Sequence, residues 1–326
     1  MSEPQTDKYG FVIPRGKTGF KQISPLKFNA RMEKWESMIS DWPCLIHNKK
    51  NLIKTRIRKG IPDALRSRVW VLITDGINIR KNYPNHLYFR YCNIEEDPPC
   101  MHTIQKDLDR TYPGHEIYRT SEGQLSLRNI LRSYAFFDPE IGYCQGMGYV
   151  AGIARMYMDE ESAFWMLVSL MQNYKLRGMF KEGMELTYTN FYIANSLLKY
   201  FEPSIWKKLN DCEVSPQIYA TQWFMTIYSN FPIETVLRIW DCFLFEGPKI
   251  LFRVYVGFFK MNKTEFRDLS FETSIRKIRE LEGDCDCDQL IKSSFSLGLS
   301  QKKIEDLEKE YSLNPNMDMV KWQLNR

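Results

Sequence analysis

Two short stretches hold residues whose types and spacing can do chemistry. In "IQKDLDR" (104–110), Asp107 and Arg110 stand three apart, which makes them neighbours on one side of a helix. Two readings are open. One is a surface ion pair worth under about 1 kcal/mol. The other is a carboxylate that orients a guanidinium at a helix end, so that the fork projects outward and neutralises charge on another molecule's phosphate. In "IGYCQGMGYV" (141–150), the amide of Gln145 stands among Gly142, Gly146 and Gly148, in a run otherwise made of aromatic and aliphatic residues. It is either a polar residue carried on a tight turn or a side chain presented on a rigid bend. An amide offers both a donor and an acceptor, which suits it to positioning a water molecule.

Other common chemistries lack their parts. "RGKTGF" (15–20) contains the Gly-Lys-Thr of a phosphate-binding loop, but the glycine needed five positions before Gly16 is replaced by Phe11. His47, His86, His102 and His115 form no His-Glu-x-x-His and no ligand pair at helical spacing, which argues against zinc hydrolysis. No Gly-x-Ser-x-Gly elbow occurs. The eight cysteines include no Cys-x-x-Cys pair, and most lie in apolar runs, so reduced core thiols of a cytosolic protein are expected. Cys285 and Cys287 sit in "GDCDCDQ", an expected exposed loop with too few further ligands nearby for a metal. "NKKNLIKTRIRKG" (48–60) is basic, with apolar residues interleaved. It is either a solvated amphipathic helix face or a patch for an acidic partner or lipid headgroups.

The elements that must position Arg110 and Gln145 are helices. Leu127, Ile130, Leu131 and Tyr134 make one apolar stripe in "SLRNILRSYAFF" (126–137), which Asp138-Pro139 ends. Asp159 is placed to cap "DEESAFWMLVSLMQNY", with Phe164, Leu167, Val168 and Met171 on its inner side. Ser215-Pro216 opens a helix through Tyr219, Trp223 and Ile227, and a further helix runs from Pro232 to Gly247. "ILFRVYVGFFKM", "SFETSIRKIRELEG" and "SQKKIEDLEKEY" continue the pattern. The segment "GMGYVAGIARMYM" is helical too. Its Gly148, Ala151, Gly152 and Ala154 form a narrow face that admits close approach by another helix, with Gln145 just before its start. "CMHTIQKDLDRTYPGHEIY" (100–118) is a short helix ending before Pro113, with Ile104 and Leu108 inward.

Period-2 runs and β-α alternation are missing, so the fold is mainly α, a dozen or more helices packed irregularly, with a break near 160–185. Residues 1–27 are expected as an extended arm. At 326 residues, the chain suits one large or two modest domains, and 44% hydrophobic content suits a globular protein. A net charge of +5 is too small to argue for nucleic acid. The first residues carry no apolar core of a signal peptide, and no run reaches bilayer length; a soluble protein is expected.

Four motifs in order resemble the TBC-domain GTPase-activating proteins that act on Rab GTPases. "RKGIPDALRSRVWVLI" (58–73) is similar to the opening signature, with Arg66 and Trp70 in place. "IQKDLDR" fits I-x-x-D-x-x-R at Ile104, Asp107 and Arg110, and "YCQG" fits Y-x-Q at Tyr143 and Gln145. "SPQIYATQWFMTIYSNFPIETVLRIWDCFLFEG" (215–247) is similar to the closing signature. The resemblance implies an all-α TBC-type fold with two helical subdomains. Its parts would be an arm and leading helix over 1–55, the TBC domain over 56–265, and C-terminal helices over 266–326. It implies a GTPase activator, not a self-contained enzyme, that acts on a Rab-family partner and regulates vesicle traffic. On this resemblance Arg110 would stabilise charge on the transferring phosphoryl and Gln145 would orient the attacking water. Asp107, Tyr143 and Ile104 support them, while Arg66 and Trp70 are structural. No cofactor is expected in this chain, because GTP and Mg²⁺ belong to the partner. A cytoplasmic location is implied, with recruitment to endomembranes and membrane contact only through the lipidated partner. Two alternatives stay open: a Rab-binding scaffold that accelerates nothing, and an unrelated helical adaptor.

Overall fold

A computed structural model describes residues 5–13, 25–74, 76–266 and 270–315. The Gly16-Lys17-Thr18 run lies outside them. The described residues form helices and no sheet, and they divide into two compact units, Met1–Arg177 and Gly178–Arg326. The division falls inside the 160–185 window marked by the sequence.

The first unit contains α1 (Pro25–Ser40), α2 (Trp42–Asn48), α3 (Lys50–Arg58), α4 (Arg66–Thr74), α5 (Gly76–Lys81), α6 (Leu87–Cys92), α7 (Met101–Leu108), α8 (Ser121–Phe137), α9 (Met147–Tyr157) and α10 (Glu160–Asn173). At its centre is α8, packed against α6, α7, α9 and α10. Its expected stripe, Leu127, Ile130, Leu131 and Tyr134, is buried. The helix starts earlier than the stripe does. Thr120 accepts a hydrogen bond from the Gly123 N–H at 3.0 Å, and the first turns carry exposed Leu125, so helix formation there leaves no apolar periodicity to read. Asp159 caps α10 as expected, accepting from the Ser162 N–H at 3.0 Å. On α3, Ile53 and Ile57 are buried, and Lys49, Lys50 and Lys59 are exposed around it.

A short α11 (Arg177–Phe180) straddles the division. The second unit holds α12 (Glu185–Phe201), α13 (Pro203–Asp211), α14 (Pro216–Met225), α15 (Ile233–Glu246), α16 (Lys249–Met261), α17 (Phe271–Gly283), α18 (Cys287–Phe295) and α19 (Gln301–Leu313). Its core gathers Trp223, Tyr228, Phe231, Tyr255, Phe258 and Phe259 edge to face.

Two expectations need correction here. Helix α14 does not run through Ile227. It stops at Met225; Ile227 and Tyr228 adopt positive φ, and the Tyr228 N–H turns back to the Trp223 carbonyl at 2.8 Å. Nor is "GDCDCDQ" an exposed loop. Asp286 caps α18, Cys285 is buried, and Cys287 begins the helix. Burial pushes both thiols up to about 12, which makes them poor nucleophiles at neutral pH. The wider expectation of core thiols holds for Cys242 and Cys285; Cys44 is exposed and the others are half-buried, all of them unpaired with one another.

Candidate functional site

The site is built in the first unit where the end of α7 meets the start of α9. Ile104 and Leu108 anchor α7 in the core. The helix then closes on itself. The Thr111 hydroxyl donates to the Asp107 carbonyl at 2.6 Å, and the Thr111 N–H donates to the Leu108 carbonyl at 3.1 Å. Tyr112 follows with φ of +49°, a left-handed conformation that a bulky side chain adopts only where its surroundings impose it. Arg110 therefore sits on the outside of a tight reversal. Its side chain is 47% exposed, and its guanidinium is ion-paired with Asp107 Oδ1.

Asp107 itself is buried. A buried carboxylate is costly unless every oxygen is matched. Here Oδ1 takes Arg110, and Oδ2 accepts from the Tyr143 hydroxyl at 2.6 Å. Burial, together with the hydrogen bond to Asp107, pushes the Tyr143 hydroxyl well above its ordinary value. It therefore stays protonated and always donates, so the polarity of the bond is fixed.

Tyr143 leads directly to Gln145. Gly142 and Gly146 have φ of +58° and +106°, and Gly146 occupies the cap position of α9. These two left-handed glycines bend the chain on either side of Tyr143-Cys144-Gln145. Met147 and Tyr143 face inward, and Gln145 is exposed, with no hydrogen-bonded side-chain partner among the described residues. Upstream, Arg177 grips the loop: its Nε and Nη2 donate to Asp138 at 2.7 and 2.9 Å, and Nη2 donates to Glu140 at 2.5 Å.

Helices α8 and α10 pack against α9 as its small face leads one to expect, and at Gly148 and Gly152 the turn after α7 comes closest. A Cβ on Gly148 would lie 3.0 Å from Thr111 Oγ1 and 3.3 Å from Tyr143 Oη; one on Gly152 would lie 3.0 Å from the Tyr112 ring. The Tyr149 hydroxyl adds a bond to the Arg110 carbonyl at 3.2 Å. The bare face thus lets the Arg110 turn and the Gln145 bend share one foundation. At the far end of α9, Tyr157 packs on Trp70 with centroids 5.1 Å apart. Buried Arg66 pairs with Asp63, donates to the Ile61 carbonyl at 3.1 Å, and stacks on Tyr157. Arg66 and Trp70 hold α4 to α9 and lie in the scaffold.

Every residue singled out around the two motifs is thereby joined through α7 and α9. Sequence reasoning passed over Thr111, Tyr112, Tyr149 and Arg177. A threonine four after Asp107 and a tyrosine four after Gln145 carried the only local signals. Among the described residues no cluster of three or more His, Cys, Asp or Glu side chains is placed to hold a metal ion, and no helix is long and apolar enough to cross a membrane.

The family described as the Rab-GTPase-TBC domain matches residues 63–266. Carabin of Mus musculus is 37% identical over 254 residues, covering 77% of this chain and 57% of that protein. The ecotropic viral integration site 5 protein homolog of Homo sapiens is 31% identical over 293 residues, covering 87% of this chain and 35% of that protein. The chain thus spans between about a third and little more than half of these relatives. The crystal structure of the Chlamydomonas flagellar RabGAP TBC domain superposes with a TM-score of 0.72 at 23% identity, covering 89% of this chain and 98% of that one. The Ypt/Rab-GAP domain of Gyp1p gives 0.66 at 18% identity, covering 87% and 99%. The two superpositions establish the fold.

Proposed function

Because the chain belongs to the Rab-GTPase-TBC domain family, we propose that it accelerates GTP hydrolysis on a Rab-family GTPase by lending Arg110 and Gln145 to the partner's nucleotide site. The observation that carries this reading is the shared carboxylate. Asp107 binds Arg110 with one oxygen and Tyr143 with the other, so two exposed groups from distant parts of the sequence rest on one buried hydrogen-bonded support.

Each group has a distinct task. The Arg110 guanidinium stabilises negative charge that develops on the transferring phosphoryl; such a finger is worth about 10³–10⁵ in rate. That corresponds to roughly 4–7 kcal/mol off the barrier. The Gln145 amide accepts from the attacking water and donates toward the phosphoryl oxygens, so it fixes the line of attack. Asp107 aims the guanidinium, and Tyr143 holds Asp107. GTP and Mg²⁺ are brought by the partner, whose lipid anchor would also provide any contact with membranes. The protein would act from the cytoplasm on endomembranes, in vesicle traffic.

The deciding experiment is a GTP-hydrolysis screen against purified Rab GTPases with the parent protein, Arg110→Ala and Gln145→Ala. We expect stimulation of at least one GTPase and loss of most of it, about 10²-fold or more, in each variant. A parent that binds a GTPase without releasing phosphate would make it a scaffold. An Arg110→Ala variant as active as the parent would overturn the role given to that residue.

A further inference from the structure

Residues 5–13 lie outside the 63–266 span matched to the family, yet they are folded against the turn that carries Arg110. The segment is a small hairpin. Asp7 Oδ1 accepts from the Tyr9 and Phe11 N–H groups at 2.8 and 3.0 Å, the Asp7 N–H donates to the Phe11 carbonyl at 2.7 Å, and Ile13 returns to Gln5 at 2.9 Å. One edge then docks on residues 114–116. The Val12 N–H donates to the Gly114 carbonyl at 2.9 Å, the Glu116 N–H donates to the Gly10 carbonyl at 2.8 Å, and the His115 ring meets the Tyr9 carbonyl at 2.9 Å. Gly10, at φ of +84°, has no room for a side chain: a Cβ would sit 2.8 Å from His115 Nε2.

The docked hairpin aims Phe11 at the reversal. Its ring stands edge-on to His115 at 4.8 Å and to Tyr112 at 6.2 Å. Tyr112 is the left-handed residue two places after Arg110, and its ring also lies against Gly152 of α9. The reversal is thus clamped between α9 and the hairpin. A tyrosine in a left-handed conformation is sterically unfavourable, so the reversal depends on such clamping.

We propose that the hairpin of residues 5–13 is a positioning strap, with Phe11 as its key side chain, that holds the Tyr112 reversal so that Arg110 is presented in its working direction. This rests on the reading of Arg110 as the residue lent to the GTPase. Phe11 touches no reacting group; it acts through Tyr112.

The test uses the full chain and a GTPase that the parent protein stimulates. Phe11→Ala removes the clamp, and Asp7→Ala opens the hairpin without touching the reversal. We expect each to lower stimulated kcat about tenfold, since displacements of an ångström are worth up to about 10²-fold. KM for the GTPase should stay within twofold and Tm within a few degrees. Amide exchange over residues 110–116 should rise, Phe11→Tyr should restore kcat, and Phe11→Ala should cost nothing more in an Arg110→Ala background. Parent-like kcat in both variants while Arg110→Ala is inactive overturns the strap and leaves the function standing. An active Arg110→Ala overturns the function itself. A fall in kcat that follows a fall in Tm, with unchanged exchange at 110–116, also overturns the strap.

Discussion

Asp107 is the residue on which the site turns, because its two oxygens serve different masters. Asp107→Ala strips the buried Tyr143 hydroxyl of its acceptor, and an orphaned buried donor costs about 1–3 kcal/mol. Asp107→Asn keeps shape and one acceptor but loses the charge that holds the guanidinium. The two variants should therefore separate stability from catalysis. Both are expected to reduce stimulated kcat by about tenfold or more, since a misdirected guanidinium loses its near-attack geometry. Only the alanine variant is expected to lose stability by more than about 1 kcal/mol in urea unfolding. Equal kcat for Asp107→Asn and the parent would show that Arg110 needs no charge beneath it. Spacing alone left Asp107–Arg110 readable as an ordinary surface pair. What removes that reading is the burial of the carboxylate, which comes from the packing of Ile104 and Leu108 and from a hydroxyl 36 positions away.

Among the elements, the strap and the reversal it clasps were the least legible. Helices α8, α10 and α15 announce themselves through caps and apolar stripes, because their stabilising contacts recur every three or four residues. The strap has no such period: His115 meets Tyr9 across 106 positions, and neither residue marks itself locally. This contact also makes the strap sensitive to pH. The Ile117 N–H donates to His115 Nδ1 at 3.2 Å, so Nε2 carries the proton and donates to Tyr9. Burial, outweighing the bond to Tyr9 and the carboxylates of Glu116 and Asp7, lowers the ring below its ordinary value of 6.5. The unfolded chain therefore binds a proton that the folded chain resists. Stability from this group is present above pH 6.5 and is lost as pH falls below it toward the folded value. Protonation also ends the bond from Ile117, since Nδ1 can no longer accept. Amide exchange at Phe11, Val12 and Ile117, corrected for its intrinsic pH dependence, should show protection falling between about pH 7 and pH 5.5. In His115→Gln that step should be absent. A step of the same size in the variant would assign it to another group.

At the scale of the whole molecule, all the chemistry proposed here lies in the first unit, Met1–Arg177, along with every contact that supports it. Composition and periodicity revealed an all-α chain but marked the break near 160–185 only weakly. They could not reveal which half held the finished site, since that depends on buried pairings between segments with no shared period. The second unit also has close packing between its helices. At Gly257 on α16, a Cβ would lie 2.3 Å from Ser294 Oγ and 2.8 Å from that residue's backbone, where α18 crosses. Gly257→Ala forces the two helices apart, an overpacking cost of about 1–3 kcal/mol. Each kcal/mol should lower Tm by about 2–4 °C. If the catalytic machinery resides wholly in the first unit, the variant assayed well below its Tm with saturating GTPase should keep the parent's stimulated kcat. A change confined to KM would give the second unit a share in holding the GTPase. A fall in kcat in the folded protein, measured by single-turnover hydrolysis alongside circular dichroism, would mean that residues beyond Arg177 take part in the chemistry.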